Sequence, residues 1–168
     1  MMTTKTITAQ SLLFTRASAA RILGIKPNFI SQFHVFDDAV YLTGEFGERY
    51  LAKALFENDF AAFRRNGSLG LYAVNVSDNG FQVSASYRNK TYDLVAHSDH
   101  ISCTCADYRQ QVQAGLKLPL CKHGYAVLRR LEIESMEDYP AQVASALVNL
   151  KASVRAELVS VLDNYDLV

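Results

Sequence analysis

All three cysteines of this 168-residue chain lie within nineteen positions, at Cys103, Cys105 and Cys121, and His123 follows two residues after the last. An odd number of cysteines cannot pair off in internal disulfides, and a short Cys/His cluster of this kind reads as a metal site. The spacing is C-x-C-x15-C-x-H. Zinc takes four soft or borderline ligands in a tetrahedron, and three thiolates with one imidazole meet that need. The expected ligands are Cys103, Cys105, Cys121 and His123, and the expected ion is a structural Zn2+.

The spacing also constrains the backbone. Residues i and i+2 of a strand point to one side, so Cys103 and Cys105 share a metal if a strand from Ile101 ends there. Two residues apart on a helix are about 200° apart. Cys121 is therefore expected just before a helix and His123 in its first turn. Pro119 disfavours helix in the residue before it, which agrees with a later helix start. A helix N-terminus also favours a thiolate. The local unit predicted is ββα, with Tyr125, Leu128 and Leu131 packing the helix onto the hairpin.

These residues resemble a SWIM zinc finger. The stretch from Tyr92 to Leu131 contains "ISCTCADY" and "PLCKHGYAVLRRL". That family's pattern is C-x-C-x(n)-C-x-H, usually with a Ser before the first Cys, an acidic–aromatic pair after the second, and a Lys before the His. Ser102, Asp107-Tyr108 and Lys122 match those positions. The resemblance covers roughly forty residues. It implies a ββα zinc unit that binds DNA or protein. SWIM fingers accompany remodelling ATPases, transposases and recombination factors, so regulation or recombination is the implied setting.

Elsewhere the chain alternates helix and strand signals. Ser18 to Leu23 reads as a helix stopped by Gly24. Phe29 to Phe36 and Ala39 to Gly44 read as strands about an Asp37-Asp38 turn, and Arg49 to Leu55 as a third. Glu57 to Arg65 has helical spacing. Leu69 to Val76 reads as a strand, followed by Phe81, Val83, Ala85 and Tyr87 in alternation. Arg88-Asn89-Lys90 is read as a turn, and Thr91 to Ala96 and Ile101 to Thr104 as strands. Two helices, 140–154 and 154–162, close the chain, with continuity between them left open. The fold class is α+β: antiparallel strands, N- and C-terminal helices and a zinc unit. The expected division is 1–84, an α+β region of unassigned role; 85–131, the finger; and 132–168, acidic helices.

Arg16 to Val35 also fits a helix-turn-helix, with Gly24 in the turn and Asn28, Ser31 and Gln32 exposed for DNA. The two-strand reading of Phe29 to Leu42 competes with it.

Charge is uneven although the net charge is zero. Residues 1–84 carry net +1, residues 85–131 net +4 and residues 132–168 net −5. Arg109, Lys117, Lys122, Arg129 and Arg130 are the candidate phosphate contacts. The expected function is a small zinc-dependent DNA-binding protein; the alternative is a protein–protein adaptor scaffolded by zinc, and a redox or zinc sensor ranks third. No P-loop, no G-x-S-x-G and no cysteine outside the cluster supplies catalysis, so no enzyme is expected and no small-molecule substrate is evident. His97 and His100 read as turn residues, and His34 as a strand residue. About half the residues are apolar, enough for a core, and no apolar run nears the roughly 20 residues of a membrane span. The start shows no apolar segment of the signal-peptide type. A cytoplasmic protein without membrane partners is the expectation.

Overall fold

The computed structural model describes residues 6–85 and 88–165, with side chains for all of these except 88, 89 and 160–165. The chain folds into two compact units, the first comprising 1–67 and 109–119 and the second 68–108 and 120–168. Antiparallel sheets and helices at both ends make the class α+β.

In the first unit, α1 (Ala9–Leu13) and α2 (Arg16–Leu23) are capped at their N-termini by Thr8 and Thr15, whose hydroxyls accept from the Ser11 and Ser18 amides. Gly24 ends α2 at φ 67, a left-handed position that glycine adopts without steric cost. A single 3-10 turn, Pro27–Phe29, leads into the meander β1 (Ile30–Val35), β2 (Ala39–Gly44) and β3 (Gly47–Ala52). Helix α3 (Lys53–Gly67) follows, one turn longer at its start than its sequence spacing predicts. Phe56 of α3 is fully buried and meets Phe14 and Phe33 edge-on. Around it lie Ala19, Ala20, Ile30, Val40, Leu42 and Leu51.

The helix-turn-helix reading fails here. Residues 30–35 hydrogen-bond to β2 in an antiparallel ladder, and the Ser31 hydroxyl donates to the Thr43 carbonyl. The β-branched and aromatic content of this stretch prevails over its chance helical spacing.

In the second unit, β4 (Leu71–Asn75), β5 (Gly80–Ala85), β6 (Arg88–Ala96) and β7 (Ile101–Cys103) form one antiparallel sheet in sequential order. Residue 84 lies inside β5, so a boundary after it cuts this sheet; the compact unit begins at Ser68. The Arg88-Asn89-Lys90 stretch is already strand, with Arg88 paired to Ala85, rather than turn. Tyr87 lies outside the described residues.

One face of the sheet carries Leu71, Phe81, Val83, Leu94 and Ile101 into a core with α5 (Lys122–Arg130) and α6 (Tyr139–Tyr165). Full burial of each large side chain is worth about 1.5–3 kcal/mol. Helix α5 packs on all four strands, burying Ala126, Val127 and Leu128, with Leu131 just beyond it. Its far end is held by Arg129, whose guanidinium donates to the carbonyls of Ser68 and Leu71. Helix α6 runs unbroken over 27 residues, so the two closing helices are one. No helix among the described residues is long and apolar enough to cross a membrane.

Candidate metal centre

Cys103 is the last residue of β7, and Cys105 directly precedes helix α4 (Ala106–Gln113). The Cys105 sulfur accepts from the Tyr108 amide at 3.3 Å, as a helix-capping side chain does. Cys121 is the N-cap of α5 in extended conformation, and His123 stands in the first turn. Each pair therefore uses one extended residue and one helix start. Two helix N-termini face the sulfurs, and their positive ends favour thiolates.

The four ligand atoms lie within 4.8 Å of one another and all four residues are buried. His123 presents Nδ1, at 3.8 Å from Cys103 Sγ and 3.7 Å from Cys121 Sγ. Tetrahedral zinc, with bonds of about 2.3 Å to sulfur and 2.0–2.1 Å to nitrogen, sets sulfur and nitrogen about 3.6 Å apart. The group can hold a metal ion.

The ionisation of the protein groups alone agrees. Three negative sulfurs at this separation repel strongly, so the cluster settles on one thiolate. Cys105 is pulled far below the ordinary thiol range, first by the Cys103 thiol and then by that of Cys121. Cys103 is pushed up to about 12, first because it donates to Cys105. Cys121 is pushed up further, by donating to Cys103 and Cys105. A divalent cation inverts this balance, since a coordinating thiol is deprotonated.

The surrounding residues hold the ligands in place. The Tyr92 ring lies 4.2 Å from that of His123. The Cys105 amide points at Cys103 Sγ at 3.5 Å. Ser102 pairs with His97 Nε2 at 3.0 Å, and His97 and His100 stack at 4.3 Å in the β6–β7 turn. Both histidines stay outside the cluster, as turn residues. His34 stacks on Tyr41 across the β1–β2 pair.

Arg109 and Lys117 fall in the segment that clusters with the first unit, whereas Lys122, Arg129 and Arg130 belong to the second. Arg109, Lys117 and Arg130 are exposed and Lys122 is half-buried. Arg129 serves the fold: besides the two carbonyls it donates to the Ser68 hydroxyl at 3.2 Å. Its helical neighbours gave no sign of this, because the partners lie about sixty residues away in sequence. Helix α4 was missed as well. Gly115, at φ 71, and the Leu116 amide bonded to the Gln111 carbonyl mark its end, and Gly115 was the available signal.

The chain matches no protein-family model, no curated protein and no solved structure.

Proposed function

We infer that this is a small zinc protein whose Cys103–Cys105–Cys121–His123 centre braces a nucleic-acid-binding module of SWIM-finger type. The observation that carries the zinc reading is the buried Cys3His group with its ligand atoms within 4.8 Å. Three sulfurs and one imidazole, with no oxygen donor, suit zinc. Four protein ligands leave no open position for water, so the ion braces the fold and does no chemistry. The chain is read as a binding protein and not an enzyme, acting on DNA in regulation or recombination within the cytoplasm. The excess positive charge of residues 85–131 supports phosphate contact.

A protein-adaptor reading has its own support in the apolar side chains on and beside the edge strand β4. Leu69, Tyr72, Val74 and Val76 are all more than half exposed, and such rows mark interaction surfaces.

Metal analysis by mass on the purified chain, together with DNA titration at several salt concentrations, tests the main reading. One zinc per chain and salt-dependent DNA binding are expected. A metal-free folded chain sinks the zinc reading, and zinc-loaded chain that leaves DNA unbound transfers the case to the adaptor.

A further inference from the structure

The other edge of the His123 ring opens a second site. Nδ1 faces the sulfurs of Cys103 and Cys121, so Nε2 lies on the side away from them. His123 is only 6% exposed, yet Nε2 has no hydrogen-bond partner among the described residues. No side-chain nitrogen or oxygen among them is both fully enclosed and unpartnered. Nε2 is therefore not sealed in, and His123 lines a small cleft together with Ser84, Lys90, Tyr92 and Lys122.

The chemistry of that cleft is one-sided. Two lysines and the Tyr92 ring stand around it with His123, and none of the described residues that line it is acidic. Lys90 Nζ stands 5.1 Å over the Tyr92 ring, and the same ring flanks His123. Lys122 and His123 are the first two residues of α5, whose N-cap makes no side-chain hydrogen bond. The positive end of that helix adds to the lysines. The volume is about 50 Å3. At about 10–15 Å3 per water-sized group that is room for one tetrahedral oxyanion and too little for a base.

We propose that Lys90, Lys122 and the Nε2–H of His123 seat one phosphate group of a nucleic-acid backbone. The proposal rests on the zinc and nucleic-acid reading above and assigns that reading its contact point. A metal on Nδ1 leaves the ring neutral with its proton on Nε2. The imidazole then donates along a fixed direction, and zinc loading organises the phosphate seat. Of the five basic residues expected to meet DNA, only Lys122 takes part, and Lys90 joins it.

The test uses the full zinc-loaded chain, a fluorescent single-stranded DNA and inorganic phosphate as separate probes. Zinc content and the two-dimensional NMR spectrum report the fold of each variant. Lys90→Gln with Lys122→Gln should keep one zinc and the native spectrum, weaken DNA binding at least tenfold, and flatten the salt slope by about 0.7, the loss of one phosphate contact. Inorganic phosphate should shift the His123 Nε2 resonance in the parent chain and not in the variant. DNA binding unchanged by the double substitution overturns the cleft and leaves the nucleic-acid reading standing. Lysine-dependent phosphate binding without DNA binding overturns the backbone source and makes this a free-phosphate site. Neither probe bound sinks both.

Discussion

The Arg129 guanidinium donates to the Leu71 carbonyl at 2.8 Å, tying the last turn of α5 to the first residue of β4. The same group bonds Ser68 through both its carbonyl and its hydroxyl. Arg129→Ala removes three charge-assisted hydrogen bonds, although the Ser68 carbonyl keeps the Leu71 amide as a partner. Net loss per such bond is about 1.5–3 kcal/mol when enclosed, and the exposure of this arginine places the total near the low end. A destabilisation of about 2 kcal/mol is expected in denaturant unfolding of the zinc-loaded chain. Arg130→Ala, one residue on, should change stability by less than about 0.5 kcal/mol. Equal midpoints for the two variants would contradict the clamp.

Zinc removal should act on one unit. The ligands all belong to the second unit, and α5 packs on all four of its strands. Ion binding in zinc fingers is worth about 10–16 kcal/mol, comparable to the whole stability of a domain. The first unit has its own core around Phe56 and its own ion pair, Arg21 to Asp59 at 2.6 Å. Chelation or Cys121→Ser should erase hydrogen-exchange protection in β6, β7 and α5 while α2, α3 and the β1–β3 meander stay protected. Uniform loss across both units rules out this division.

The ligand set was legible because metal geometry acts through sequence spacing of only two residues at each end. Cys103 and Cys105 straddle a strand end, and Cys121 and His123 a helix start, and both arrangements follow from periodicity. Hairpins were legible for the same local reason, as at Asp37-Asp38. What spacing cannot report is which distant backbone groups a side chain will meet. Spacing thus points to Arg129 as a phosphate contact and says nothing of the Ser68 and Leu71 carbonyls that its guanidinium bonds. Helix α4 lacked the apolar stripe that reveals a helix, since Val112 is exposed and its one deeply buried residue is Gln111. The continuity of the 27-residue α6 stayed open in the sequence, although Val143, Leu147, Leu150 and Val154 recur at i, i+4, i+7 and i+11 on the face that packs into the core.

Zinc affinity should fall steeply with falling pH. Before metal arrives, Cys103, at about 12, and Cys121, pushed up further, keep their protons at neutral pH, while Cys105 has already lost its own. The metal-bound form needs all three thiolates, so about two protons leave per ion. Lower pH adds those protons back and opposes loading; higher pH favours it. Competition with a chromophoric chelator at pH 6.5 and 7.5 should show affinity about a hundredfold weaker at the lower value. A pH-independent constant would mean that the sulfurs are not the ligands.

Tyr139 offers a last, independent check on how the metal-bearing hairpin is held. Its ring is fully buried in the core, and its hydroxyl donates to the His97 carbonyl at 2.7 Å, at the start of the β6–β7 turn. Burial raises its pKa to about 12, so the donor proton stays in place across the working pH range. Tyr139→Phe keeps the ring contacts and deletes only the hydroxyl. The His97 carbonyl then loses a partner while its half-buried position limits hydration, a cost of about 1 kcal/mol. Because that turn leads directly into Ile101–Cys103, the variant should bind one zinc but release it faster to a chelator. Tyr139→Leu, which also opens a cavity, should cost about 3 kcal/mol. A phenylalanine variant that matches the parent in both unfolding midpoint and zinc release would show that α6 does not steady the hairpin through this bond.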